Sequence, residues 1–157
     1  MSHSVLSILN FTYILSLVFW VGGIAFFSFI AAPAIFKILE REKAGQVVGV
    51  IFPRYYLIGY VSALIALFSL LVSTQEFIGS KQILLYIMIV GWFYAGLVVS
   101  PKSKNLKSLK LSASSMEEKE LLEVKFKKAH SLAVKLNGTV FLLGLGLLWF
   151  SALGFEL

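Results

Sequence analysis

The 157-residue chain is 59% hydrophobic and 14% charged, with a formal net charge of +6 and a mean hydropathy of +0.89. Soluble domains run nearer ~45–50% apolar and ~25% charged, so a water-soluble core of this size cannot hide the apolar surface and a bilayer is the expected solvent. With no cysteine, the chain cannot form a disulfide, a thiolate zinc site, an iron–sulfur cluster or a thiol nucleophile.

From the N-terminus, no Asp, Glu, Lys or Arg occurs between Met1 and Phe36. The run has no basic residue ahead of its apolar part, and Pro33 interrupts the small residues Ala31 to Ala34, so it reads as an uncleaved span rather than a signal peptide. As one helix, residues 4–36 would reach ~50 Å, against a hydrocarbon core of ~30 Å. Pro33 removes one helical hydrogen bond and offers an exit. The segment AIFKILEREKAG then mixes Ile35, Phe36, Ile38 and Leu39 with Lys37, Glu40 and Arg41, the pattern of a short helix lying at the headgroup level.

Three further charge-free runs follow: Tyr55 to Gln75, the stretch between Lys81 and Lys102, and the stretch between Lys135 and Glu156. Each suits a spanning helix of ~20 residues, and their continuity argues against alternating strands. The expectation is an all-α, integral membrane, four-helix antiparallel bundle forming a single domain over 1–157. Its spans lie near 8–36, 54–75, 82–101 and 134–155, and its long connections are 37–53 and 102–133. With the flanking Arg54 and Lys135, the segments Lys37–Arg54 and Lys102–Lys135 carry thirteen of the fourteen Lys and Arg residues, and only Lys81 lies on the other side. The positive-inside rule then places both connections in the cytoplasm and both termini outside.

Within the second connection, PKSKNLKSLKLSASS is basic and Ser-rich and reads as irregular. Beyond it, Ser115 is an N-cap candidate with Glu117, Glu118 and Glu120 in the first turns, where the helix dipole favours acids. An amphipathic helix from there runs unbroken into span four. The lysines beside the membrane would attract anionic lipid at the cytoplasmic face. Nucleic acid is not an expected partner.

Lipid tails are as apolar as leucine, so close backbone packing rather than hydrophobicity holds membrane helices together. Small pairs at i, i+4 serve that purpose: Ser28 with Ala32, Gly59 with Ala63, and Gly91 with Ala95. Gly22, Gly23, Gly138, Gly144 and Gly146 fit the same scheme.

The spans hold no Asp, Glu, Lys, Arg or His at mid-depth, which disfavours a proton relay or proton-coupled carrier. The two histidines, His3 and His130, fall at opposite ends, so they cannot share one metal or haem within a subunit. His130 is left as a single axial ligand, or as one that pairs with its copy in a dimer. Phe126, His130, Ala133 and Asn137 share one helical face, and Arg54, Tyr55 and Tyr56 begin span two at the same level after Pro53. Arg54, Tyr55, His130 and Asn137 are therefore the candidate ligand-binding residues, with a helix-end hydrogen-bond network as the structural alternative. Trp92, near mid-depth, needs a partner for its indole N–H and is expected to pack on Gly-rich neighbours.

Together, WVGGIAFFSFIAAPAIF, REKAGQVVGVIFPRYYLIGY and FKKAHSLAVKLNG resemble the transmembrane-protein-205-like family, small four-helix membrane proteins built on a domain of unknown function. The resemblance implies the fold and the membrane location and no particular reaction. It singles out Trp20, Gly22, Gly23, Pro33 and Pro53 as structural positions, and Gly45, Phe52, Tyr55, His130 and Asn137 beside them. Ser131 stands where similar sequences often carry Gly.

Three functional classes stay open: a non-enzymatic membrane module binding or passing a small ligand, a haem- or metal-binding redox protein using His130, and a structural or assembly subunit meeting a homo-oligomeric or complex partner. With no nucleophile–base pair and no carboxylate dyad, hydrolase and transferase readings are poor.

Overall fold

Apolar runs of this length can pair all their backbone groups in a bilayer only as helices, and helices are what the chain forms. The computed structural model describes residues 2–153. The expected end of span four at 154–155, and Met1 and 154–157 of the single domain, lie outside the described residues. Helix α1 (His3–Ala25), a π-helical segment (Phe26–Ala31) and α2 (Ala32–Ile38) make the first rod, of 36 residues. Helix α3 (Arg41–Thr74) is the second, of 34 residues. The third, of 33 residues, consists of α4 (Ser80–Tyr94), a second π-helical segment (Ala95–Val99) and α5 (Ser100–Ser112). Helix α6 (Met116–Ala152), of 37 residues, is the fourth. All four rods are long and apolar enough to cross a membrane, and no strand occurs among the described residues.

Short links at 39–40, 75–79 and 113–115 turn each rod back on the one before, giving an antiparallel bundle. Helix α1 packs on α3 and α6, and α4 packs on the same two, so the rods form a ring in the order α1, α3, α4, α6. Leu17, Trp20, Leu85, Met88, Trp92, Val140 and Leu147 fill its centre.

Only some of the small residues permit close approach. Ala63, Ala66 and Ala95 are wholly buried. A side chain at Gly59 would run into the Trp92 indole, and one at Gly144 into Val21. At Gly91 it would meet Val140 Cγ2 at 3.4 Å. By contrast, Gly22, Gly23, Gly138 and Gly146 have no neighbour within 4 Å of a notional Cβ. The packing seam within one chain therefore does not run through the Gly22–Gly23 pair.

Two of the three prolines follow a π-helical turn. The N–H of Ala32 bonds Phe27 O just before Pro33, and the N–H of Ser100 bonds Ala95 O just before Pro101. Proline lacks an N–H and its ring presses on the carbonyl four residues back. The wider π turn accommodates this without ending the helix, and such turns concentrate at functional sites. Pro33 therefore does not start a separate interfacial helix: α2 continues to Ile38, the break falls at Leu39–Glu40, and a new helix begins at Arg41. Helix α3 runs through Pro53 unbroken.

The PKSKNLKSLKLSASS stretch, expected to be irregular, is helical up to Ser112. Its half-buried residues Ser103, Leu106, Lys107 and Lys110 recur at helical spacing; α5 packs on α6, and the Lys107 ammonium reaches Gly45 of α3. Two of the α5 serines bond back to the helix, Ser108 Oγ to Asn105 O at 2.8 Å and Ser112 Oγ to Leu109 O at 3.1 Å. Lys110 Nζ meets Glu123 Oε2 at 2.8 Å and Lys127 Nζ meets Oε1 at 3.5 Å; the hydrogen bond from Lys110, opposed by partial desolvation, holds the Glu123 carboxyl below the usual carboxylate range. The N-cap falls where expected, with Ser115 Oγ accepting from Glu118 N at 3.1 Å. The Lys-rich end is thus a helical stalk, since rods of 33–37 residues reach about 50–55 Å at 1.5 Å per residue.

Candidate functional site

Between the two π-helical segments lies an aromatic cluster fed by all four rods. Trp92 of α4, only 1% exposed, is its hub. The ring of Trp20 of α1 meets it edge-on at 5.7 Å, and Tyr55 and Tyr56 of α3 each lie 5.0 Å away. Phe27, in the first π-helical segment, stacks at 5.0 Å on Tyr55 and at 5.2 Å on Phe52. Gly96, in the second, is bare because Tyr56 Cδ1 would stand 2.7 Å from a Cβ there and the Tyr60 hydroxyl closer still. Asn137 of α6 reaches in from the remaining side, its Nδ2 3.5 Å from the Tyr56 hydroxyl. Trp92 is 12 residues from the start of α4, Asn137 is 15 from the end of α6 and Tyr56 is 18 from the end of α3. At 1.5 Å per residue the cluster sits about 18–27 Å from the end opposite the lysines, inside the apolar layer.

The polar groups of this cluster are only partly paired. Trp92 Nε1 donates to the Tyr56 carbonyl at 3.2 Å. Trp20 Nε1, the Tyr55 hydroxyl and Asn137 Oδ1 are buried with no hydrogen-bond partner among the described residues. Turning the Asn137 amide over does not cure this: one end faces Tyr56, and the other is left without a partner whichever atom it carries. In hydrocarbon each such group costs several kcal/mol. Three of them lie on three different rods within this one cluster.

Of the four residues the sequence singles out, Tyr55 and Asn137 belong to this cluster. Arg54 is exposed. His130 is exposed too, stacked at 5.9 Å and 14° on Phe126, one turn earlier. The buried side of α6 runs through Ala129, Val140, Gly144 and Leu147, which puts His130 at its edge, on the stalk. Gly22 and Gly23 face open space, whereas Trp20 is central. Sequence reasoning gave Trp92 a packing role and passed over Gly96. Gly59 does lie under Trp92, as a Gly-rich neighbour should, but nothing in a single sequence links Gly96 to Tyr56 and Tyr60 across a helix interface.

Residues 15–111 match the model of a family described as a domain of unknown function, DUF4149. An uncharacterized protein of Aquifex aeolicus (strain VF5) is 32% identical over 128 residues, covering 82% of this chain and 85% of the relative. Neither description carries the transmembrane-protein-205 name. No solved structure matches the chain.

Proposed function

The chain belongs to the DUF4149 family, and we propose that it is a non-enzymatic membrane module whose bundle binds or passes a small hydrogen-bonding molecule at the Trp20–Tyr55–Asn137 cluster. The observation that carries this is the gathering of three buried polar atoms without partners on three rods around Trp92; Tyr13, Ser69 and Ser103 carry further such atoms singly elsewhere. A neutral guest with both donor and acceptor character matches them: the indole N–H donates, the tyrosine hydroxyl does either, and the amide end supplies the rest. The aromatic walls favour a compact or planar molecule. The finer family name, transmembrane-protein-205-like, fits this reading through the Trp20–Gly23 and Pro53–Tyr55 motifs. The positive-inside rule supports a cytoplasmic stalk with both termini outside.

The sign of one substitution tests the proposal. Deleting an unpaired buried hydroxyl relieves about 1–3 kcal/mol of desolvation, whereas deleting one that holds a guest removes a bond. Tyr55→Phe is therefore expected to lower the thermal midpoint of the protein in native membranes, and to do so less after exhaustive detergent washing. If Tyr55→Phe matches or exceeds the unmodified protein in both settings, the guest does not exist.

A haem or metal role for His130 draws no support from the geometry, since that imidazole is exposed and no three His, Cys, Asp or Glu side chains gather among the described residues. The assembly reading has one observation in its favour: Gly22 and Gly138 are exposed and uncontacted, as small residues awaiting another helix would be. Gly22→Leu should then dissociate a dimer on crosslinking in membranes. An unchanged crosslinking pattern sinks that alternative.

A further inference from the structure

We propose that the outer face of α6 holds one anionic phospholipid, its phosphate headgroup among Lys127, Lys128 and Lys135 and its tail along the bare apolar track below them. This inference rests on the membrane reading of the bundle and not on the interior cluster.

Lys127, Lys128, Ser131, Leu132 and Lys135 line a recess of about 370 Å³. At 100° per residue they fall within one 140° arc of the helix, on the side turned away from Ala129, Val140 and Leu147, which face the bundle. The ammonium groups are exposed and the Ser131 hydroxyl lies between them in sequence, so a phosphate would meet both positive charge and a donor. Glu123 lies on the neighbouring arc, bonded by Lys110 and met at 3.5 Å by Lys127 from the edge of the recess. Lys128 and Lys135 have no acidic partner among the described residues.

Depth points to a lipid rather than a free ion. Lys135 and Lys127 are 17 and 25 residues from the end of α6, about 26 and 38 Å. The hydrocarbon layer is about 30 Å thick, and about 40–45 Å with its headgroups, so the recess straddles the edge of the hydrocarbon, with Lys135 just inside it and Lys127 in the headgroup zone. On the same face, one to two turns deeper, Gly138 has no neighbour within 4 Å. Thr139 is exposed beside it and Leu142 is 68% exposed below. Leu132 in the recess leads down to that strip. A cationic head recess above an exposed helix face bearing Gly138, Thr139 and Leu142 is the complement of an amphiphile carrying a phosphate.

The test is native mass spectrometry of the full chain in detergent, titrated with phosphatidylglycerol, phosphatidylcholine or inorganic phosphate. Lysines near an anionic surface contribute about fivefold each. Lys128→Gln combined with Lys135→Gln should therefore weaken the first phosphatidylglycerol by about 25-fold, while Lys102→Gln with Lys104→Gln on α5 leaves it within twofold. Equal losses in the two double variants would mean diffuse attraction and overturn the site. So would no loss in either, or equal binding of phosphatidylcholine. Inorganic phosphate binding as tightly as the lipid would make it an ion site and overturn the lipid assignment.

Discussion

Gly59→Ala perturbs the aromatic hub with one methyl group. The new Cβ would press against the edge of the Trp92 ring, with Cζ2 at 2.5 Å and Nε1 and Cε2 nearer still. The indole has little room to move: it is 1% exposed and ringed by Trp20, Tyr55 and Tyr56 at 5.0–5.7 Å. Moving it also lengthens the 3.2 Å bond to the Tyr56 carbonyl. Overpacking costs about 1–3 kcal/mol and the lost hydrogen bond about 0.5–1.5, against at most about 1 kcal/mol of helix propensity gained by replacing Gly. The net expectation is a loss of about 1–3 kcal/mol. Gly22→Ala, where nothing lies within 4 Å, gains propensity and loses no packing. Both are measured by unfolding in mixed micelles, followed through near-UV circular dichroism of the tryptophans. Trp92→Leu should be less harmful in the Gly59→Ala background than alone, a coupling that a double-mutant cycle reads directly. If Gly59→Ala proves as stable as Gly22→Ala, or the two substitutions at the hub are additive, the packing described here is wrong.

Gly96→Ala should be at least as damaging as Gly59→Ala, because its methyl meets the Tyr56 ring at 2.7 and 2.9 Å as well as the Tyr60 hydroxyl; the same unfolding assay ranks them. Trp92→Phe keeps most of the ring but removes the donor to Tyr56 O, and a loss of about 1 kcal/mol or more is expected in thermal melts. On the stalk, the Glu123 carboxyl is held below its ordinary value of 4.5 by Lys110. A lowered carboxylate pKa contributes stability above the ordinary value, and that contribution is lost as pH falls below about 4.5 through the folded-state pKa. The pair is partly exposed, so solvent screening keeps the effect under about 1 kcal/mol. Glu123→Gln should flatten that part of the acid-unfolding curve, and an unaltered curve would mean the pair contributes nothing.

The spans were legible because a missing charge over some twenty residues has one physical outlet, and the Ser115 cap because a hydroxyl followed by glutamates marks a helix start. The α5 helix was hidden by composition: its packed face carries Lys107, whose ammonium lies against Gly45, and Lys110, whose ammonium meets Glu123, so lysines stood where a hydrophobic period would be sought. Pro33 was expected to end or bend the rod, and the π turn that absorbs it depends on packing that no local pattern shows. Tyr55 and Asn137 could be placed at one level by counting residues along helices. His130 could not be, since its exposure depends on which arc of α6 the other rods cover. Trp92, Gly59 and Gly96 became a group only through contacts between rods, which spacing along one chain does not encode.

The most direct test of the account is an experimental density map of the bundle in lipid at a resolution that shows single ordered molecules. A bound guest would appear as non-protein density within hydrogen-bonding distance of the Tyr55 hydroxyl or Trp20 Nε1, in the cluster around Trp92. A map in which these atoms bond directly to other side chains, with no guest between them, would contradict the proposed binding.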